Sequence, residues 1–421
     1  MNNKKKVIIV GGGFAGIQLT RKLDSKLFDI LLVDKLNHHQ FQPLFYQVAT
    51  SQLEPSSISF PLRYVFRNKK NVRIRLGELI SVDTENNKAL FNIGEFSYDY
   101  LVLAMGCTTN FFGKARIGQH AFTLKTTYDA ITIRNHLMQT FENVLAADES
   151  SKEALLNMVI VGAGPTGVEL AGAFAEIKKN VLPRDFYRID FSNLRIIVVE
   201  GSKHTLNAMS DVAKKASEQY LRSMGIDLRT ETFVKDYDGE NLLLSNGDTV
   251  KTKTVIWAAG ITANKVQGIS EESITVGNRI KVNRINKVEQ TENVFALGDI
   301  AFMQSPNYPN GHPQVANVAI GQAKNLAKNL RYMQQNKATT DYTYKDLGSM
   351  ATMARNKAVV DLPFLKFKGF FAWLVWMFLH LMLILSVRNK LIIFINWAWA
   401  YVTKDTALRL ILNDSNSAKS K

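Results

Sequence analysis

Twice in this chain a short apolar run ends in glycine. Val7–Val10 (VIIV) precedes Gly11-Gly12-Gly13, and Met158–Val161 (MVIV) precedes Gly162-Ala163-Gly164. Short, β-branched apolar runs bounded by glycine predict buried strands. A helix-like stretch follows each turn, to Leu27 in the first copy. A second apolar run comes next and ends on an acid: Ile30–Val33 on Asp34, Ile196–Val199 on Glu200. The second copy carries an insertion at about 176–193. A strand–turn–helix–strand unit is thus repeated 151 positions apart, which predicts an α/β chain with two Rossmann-like sheets.

The C-terminal pattern differs. Residues 369–387 (GFFAWLVWMFLHLMLILSV) contain no Lys, Arg, Asp or Glu, Arg388-Asn389-Lys390 interrupts, and 391–402 (LIIFINWAWAYV) is apolar again. A transmembrane helix needs ~20 such residues, which 369–387 just reaches. A buried core helix and a monotopic anchor lying in the interface are the other readings. Four of the five tryptophans, Trp373, Trp376, Trp397 and Trp399, lie here, and Trp favours the membrane–water boundary. From Asp361 onward eight Lys and Arg face three Asp, which suits anionic headgroups. The in-plane anchor is favoured, with Arg388 and Lys390 toward headgroups.

A chain of 421 residues suggests two or three domains. A net charge of +15 calls for an anionic partner: nucleic acid, a membrane surface or anionic cofactors. The single cysteine, Cys107, excludes a disulfide framework and a CxxC redox pair. The apolar run near the N-terminus is too short for a signal peptide, so a cytosolic side is expected. His38-His39 reads as a loop pair, and no metal site is expected.

Each repeat is a GxGxxG turn. The first glycine permits the bend, the second admits a pyrophosphate, and the third lets helix and strand pack closely. The phosphate would lie at the positive end of the helix dipole. Asp34 and Glu200 stand where an acid accepts from ribose hydroxyls. Glu200 would also repel a 2′-phosphate and favour NADH over NADPH, against the nearby Lys203 and His204. Two dinucleotide sites in one chain point to electron exchange, with FAD and NADH as the natural pair.

Thr291–Asp299 (TENVFALGD) resembles the second FAD signature of the two-dinucleotide flavoprotein reductases. Asp99–Gly106 (DYLVLAMG) and Thr254–Gly260 (TVIWAAG) resemble their strand-ending motifs. Within that superfamily the chain resembles the type II NADH dehydrogenases, single-chain NADH:quinone oxidoreductases. The family-specific carriers are 37–49 (NHHQFQPLFYQVA), 162–172, Asp299, 312–330 (HPQVANVAIGQAKNLAKNL) and the aromatic basic tail.

The resemblance implies an FAD domain in two pieces, residues 1–120 and 280–335. An inserted NADH domain would occupy 121–279, and a membrane-anchoring helical region 336–421. It implies FAD contacts from Gly11, Gly13, Phe14, Ala15, Gly16, Asp34, Lys35, Val82, Ala104, Gly106, Asp299 and Ala316. It implies NADH contacts from Gly162, Gly164, Thr166, Gly167, Glu200, Ala259 and Gly260. Glu169 would relay a proton or position NADH, its alternative being dipole pairing at a helix start. The family's AQxAxQ quinone motif reads here Ala316-Asn317-Val318-Ala319-Ile320-Gly321, then Gln322. Asn317 keeps an amide, Gly321 loses one, and Gln322 or Gln47 would substitute. Menaquinone or ubiquinone, an anionic membrane surface and a second copy of the chain are the expected partners. The expected place is the cytoplasmic side of the cell inner membrane, peripheral or monotopic, without proton pumping. A sulfide:quinone oxidoreductase, which needs paired cysteines, a soluble ferredoxin or rubredoxin reductase, and a nucleic-acid or lipid binder with a vestigial nucleotide fold are the rivals. Nucleic acid is not the expected partner.

Overall fold

The computed structural model describes residues 4–406 and 408–412. The remaining positions, which belong to the expected segments 1–120 and 336–421, lie outside the described residues. In chain order the elements that position the site are β1 (Lys5–Val10), α1 (Phe14–Lys22), β2 (Phe28–Asp34), α2 (Phe45–Ala49), β3 (Val72–Leu76), β4 (Tyr100–Leu103), β5 (Phe122–Thr123), α3 (Thr127–Ala146), β6 (Asn157–Val161) and α4 (Pro165–Asn180). They continue as β7 (Arg195–Val199), β8 (Asp227–Arg229), β9 (Thr254–Trp257), β10 (Val294–Ala296), α5 (Ala316–Gln334), β11 (Ser349–Ala354), β12 (Lys357–Asp361), β13 (Lys366–Lys368), α6 (Phe370–Leu383) and α7 (Val387–Thr403).

Two compact units share the chain. The first is Met1–Gln40, Phe60–Thr108 and Ile261–Asp346; the second is Phe41–Ser59, Thr109–Gly260 and Leu347–Lys421. The first contains a parallel sheet in the order β10-β4-β1-β2-β3. The second contains a parallel sheet in the order β5-β9-β6-β7-β8. The apolar runs legible in the sequence, Val7–Val10, Ile30–Val33, Met158–Val161 and Ile196–Val199, are all buried, as strands covered on both faces must be. In each sheet the strand order reverses at the first strand of the repeat, β1 or β6. In open α/β sheets that reversal opens a crevice at the strands' carboxyl ends.

Local detail departs from expectation in two places. Helix α1 ends at Lys22, short of Leu27. Asp24 makes the stop: its carboxylate accepts the amide of Lys26 at 2.8 Å and its carbonyl accepts those of Leu27 and Phe28. In the second repeat α4 runs through Asn180, and helical turns at Leu182–Asp185 and Phe191–Asn193 fill the rest of the insertion.

The C-terminal part begins with an antiparallel sheet, β11-β12-β13, whose first strand lies along α4. A Cβ on Gly172 would fall 1.3 Å from the carbonyl oxygen of Met353. Only glycine allows that approach. The two flanking acids on the same stripe of α4 accept main-chain amides of this segment: Glu169 from Thr352 at 3.4 Å and Glu176 from Arg355 at 2.9 Å.

The apolar tail folds as two helices. The 14-residue α6 stops at Leu383, a length of about 21 Å against the ~30 Å of a bilayer core. No helix among the described residues is long and apolar enough to cross a membrane, which removes the spanning reading of 369–387. The core-helix reading fails too. α6 buries only Ala372 and Trp376, and leaves Phe370, Phe371, Leu374, Phe378 and Leu383 exposed. Lys390 donates to the carbonyl of Met382 at 3.0 Å, so this cation caps the end of α6.

Candidate functional site

The first unit builds a dinucleotide cradle from β1, α1 and the ends of β2 and β4. Gly11 has φ +107°, and a Cβ there would meet Ala104 O at 2.4 Å; a Cβ on Gly16 would meet Gly11 O at 1.8 Å. Nothing lies within 4 Å of the corresponding point at Gly13. The outer glycines are thus closed by packing and the middle one faces open space, the arrangement a pyrophosphate needs. Helix α1 starts there with no side-chain cap at Gly13. Asp34 Oδ2 accepts the Gly12 amide at 2.5 Å and Oδ1 the Leu36 amide at 2.7 Å. Burial raises its pKa, and those amides oppose the rise.

The second unit repeats the construction. A Cβ on Gly162, at φ +101°, would meet the Ala259 backbone at 2.9 Å, and one on Gly167 would meet Gly162 O at 1.9 Å, whereas Gly164 faces open space. Glu200 Oε2 accepts the Ala163 amide at 2.6 Å and Oε1 the Ser202 amide at 2.7 Å. Thr166 is exposed on the first turn of α4. Gly260 has φ +71° and lies against the Phe112 ring. Both cradles fit a dinucleotide.

Around the first cradle the structure gathers the remaining expected residues of that unit. Gly298, at φ +72°, packs between Ala15 and Ala319, where a Cβ would stand 3.7 and 3.1 Å from their methyl carbons. Its amide donates to Gln322 Oε1 at 2.8 Å. Asp299 accepts the Cys107 thiol proton at 3.1 Å. Ala316 opens α5, with Asn317 exposed beside it. Gly106 has φ +67° and Lys35 is exposed. Val82 is buried, and its amide already donates to Gln267 O at 2.9 Å.

Two expectations for the quinone amides change. Gln322 is 1% exposed and its Oε1 holds the Gly298 turn, so that oxygen is already engaged. Gly321 is explained by Tyr342: a Cβ at 321 would lie 2.5 Å from the Tyr342 hydroxyl oxygen. Tyr342 is fixed on α5 by a strap in which Asn325 and Asn329 donate to Thr340 O at 3.0 and 2.9 Å.

Gln47 and Glu169 meet in one cleft of the second unit. It encloses about 760 Å³, part of it open to solvent, and is walled by α2, α4, β11, α6 and α7. Glu169 is 8% exposed, and burial raises its pKa to about 8, opposed by the Thr352 amide and by Trp376 beside it. It is therefore protonated at neutral pH. Gln47 Oε1 accepts from Trp397 Nε1 at 2.8 Å, and Gln47 Nε2 donates to the Tyr46 hydroxyl at 2.8 Å. Burial, then the Glu169 charge, holds the Tyr46 phenol well above its usual pKa.

Tyr46, Trp376 and Trp397 escaped sequence reasoning as site residues, and so did His39. His39 is buried with a pKa lowered to about 4, chiefly by desolvation. Neutral, it donates from Nδ1 to Gly12 O at 3.0 Å and stands edge-on to Phe14 at 5.2 Å. Its doubled sequence, His38-His39, gave no sign of this.

Two parallel nucleotide sheets with matched cradles define a two-dinucleotide flavoprotein reductase. Residues 5–323 match the pyridine nucleotide-disulphide oxidoreductase family, and residues 347–404 the NDH2 C-terminal domain. The chain is 30% identical over 421 residues to the type II NADH:quinone oxidoreductase Ndh of Mycobacterium tuberculosis, covering 95% of this chain and 89% of that one. It is 26% identical to the mitochondrial internal alternative NAD(P)H-ubiquinone oxidoreductase A1 of Arabidopsis thaliana, covering 95% and 84%. In fold it is similar to NDH2 of Plasmodium falciparum solved with NADH, with a TM-score of 0.89 at 20% identity, covering 98% and 100%. The chain belongs to the type II NADH:quinone oxidoreductases.

Proposed function

We propose that the protein oxidises NADH and reduces a membrane quinone, with FAD in the first cradle and NADH in the second. The observation that carries this reading is the matched construction of the two cradles. In each, an acid ending the second strand accepts the amide one residue past the first glycine, at 2.5 Å for Asp34 and 2.6 Å for Glu200. A single cradle serves a dehydrogenase of a small substrate; two serve exchange between dinucleotides. Bound in the first cradle, FAD would supply the redox chemistry, a hydride acceptor toward NADH and a two-electron donor toward the quinone.

The chain's own residues bind, orient and exchange protons. The N-termini of α1 and α4 would hold the pyrophosphates. Glu200 favours NADH, because its carboxylate repels a 2′-phosphate. Asp299 would contact the flavin ribityl chain, and Asn317, exposed in the first turn of α5, would offer the amide of the quinone motif. The cleft of the second unit takes the quinone head, menaquinone or ubiquinone. Glu169, protonated at neutral pH, is a proton donor there, and a quinone that gains two electrons also needs two protons.

The exposed apolar residues of α6 and α7 support a peripheral, monotopic mode of membrane binding, and the cationic excess favours an anionic surface, in this reading the cytoplasmic side of the inner membrane. Electron transfer is not coupled to proton pumping in this reading. A sulfide:quinone alternative would need a cysteine pair, and the sequence has one cysteine. The test is reconstitution in anionic vesicles containing a quinone. NADH oxidation that depends on the quinone, with no electrical potential built up across the vesicle, supports the reading. Oxidation indifferent to the quinone would contradict it.

A further inference from the structure

Helix α7 buries one stripe of three residues, Asn389, Ile393 and Trp397, spaced four apart. Apart from Arg388, Lys390, Asn396 and Thr403 the rest of it is apolar, and Val387, Leu391, Phe394, Ile395 and Val402 are exposed. A helix serving only as an anchor would bury apolar side chains on this stripe. Here two of the three are polar, and both reach the segment that carries α2. Asn389 Nδ2 donates to Ser56 O at 2.9 Å and to Ser57 O at 2.8 Å. Trp397 Nε1 donates to Gln47 Oε1. A one-residue slip or a 100° turn of α7 would break all three bonds.

The chemistry of the tryptophan fixes more than position. An indole N–H can only donate, so the Gln47 atom facing it must be the oxygen. The Gln47 amide hydrogen then points at the Tyr46 oxygen, which accepts it. With that bond accepted from Gln47, the Tyr46 hydroxyl keeps its own hydrogen to donate. Tyr46 lines the cleft. Resting on the quinone reading of that cleft, we propose that Trp397 is a positioning residue that sets the polarity of the chain Trp397–Gln47–Tyr46. The Tyr46 hydroxyl is thereby presented to the cleft as a hydrogen-bond donor for a quinone carbonyl. Asn389 holds the same segment in register.

The test is a double-mutant cycle on the full-length holoenzyme in membranes, with flavin content confirming that each variant has folded. Tyr46→Phe and Trp397→Phe should each raise the quinone KM about tenfold, the effect of one hydrogen bond to a buried acceptor. Trp397→Phe should add little more in a Tyr46→Phe background, because the two act through one bond. Additive effects, or a Tyr46→Phe enzyme with an unchanged KM, would overturn the relay. Ala400→Phe, which narrows the cleft at a residue outside the hydrogen-bonded chain, separates the two failures. A raised KM there alongside additive Tyr46 and Trp397 effects sinks the relay alone. An unchanged quinone KM in all three variants means that the cleft does not take the quinone, and both claims fall.

Discussion

The carbonyl oxygen of Met353 stands where Gly172 would carry a side chain, 1.3 Å from the ideal Cβ position. This contact lays β11 directly on α4 and covers one side of Glu169, one helical turn earlier. Gly172→Ala should force the strand off the helix, at a cost of ~1–3 kcal/mol for overpacking. The same movement should let water reach Glu169 and bring its pKa down toward the ordinary carboxylate range. Thermal denaturation and the pH profile of quinone reduction read the two effects. An alanine variant with unchanged stability and profile would break the link between that contact and the acid.

The raised pKa of Glu169 has a definite sign for stability. In the folded protein the group holds its proton to about pH 8, against an ordinary 4.5 when unfolded. Because the folded value is the higher, its contribution is fully present below about pH 4.5 and is lost as pH rises through about 8. Glu169→Gln cannot ionise. The Tm of the variant relative to the parent should therefore rise between about pH 5 and 8 and level above that. A difference that stays flat across this range would show that Glu169 does not titrate there.

At the second cradle Glu200→Ser should do two things. Losing an acceptor for the Ala163 and Ser202 amides should loosen the glycine turn and weaken NADH binding. Removing the carboxylate should also narrow the preference for NADH over NADPH. Comparison of kcat/KM for the two nucleotides checks this, and an unchanged ratio would take Glu200 out of the ribose site.

Gly321→Ala should cost ~1–3 kcal/mol, because a methyl group there meets the Tyr342 hydroxyl and ring within a packed strap. Tyr342→Leu should relieve most of that cost in the double variant. Chemical denaturation of the four proteins measures it, and additive losses would mean that the two side chains do not compete for the space.

The two cradles were legible in the sequence because their chemistry is local. Gly11 to Asp34 and Gly162 to Glu200 are short chain segments in which strand, turn, helix and acid follow in fixed order. Gln47 and Trp397 are 350 positions apart, and a single hydrogen bond between them leaves no periodic trace. Gly321 read as the loss of an amide until Tyr342, 21 positions on, was seen to occupy the space. Gln322 read as a spare amide because nothing in the sequence connects it with Gly298. The tail was readable as apolar, but its length pointed both ways. The break at Ile384, where the backbone turns extended, decided for two short helices over one span.

The most direct measurement is anaerobic stopped-flow absorbance of the purified protein. Addition of NADH should bleach the flavin band, and a quinone in lipid vesicles should then restore it within the same enzyme. A protein that carries no flavin, or whose band is indifferent to NADH, would contradict the account.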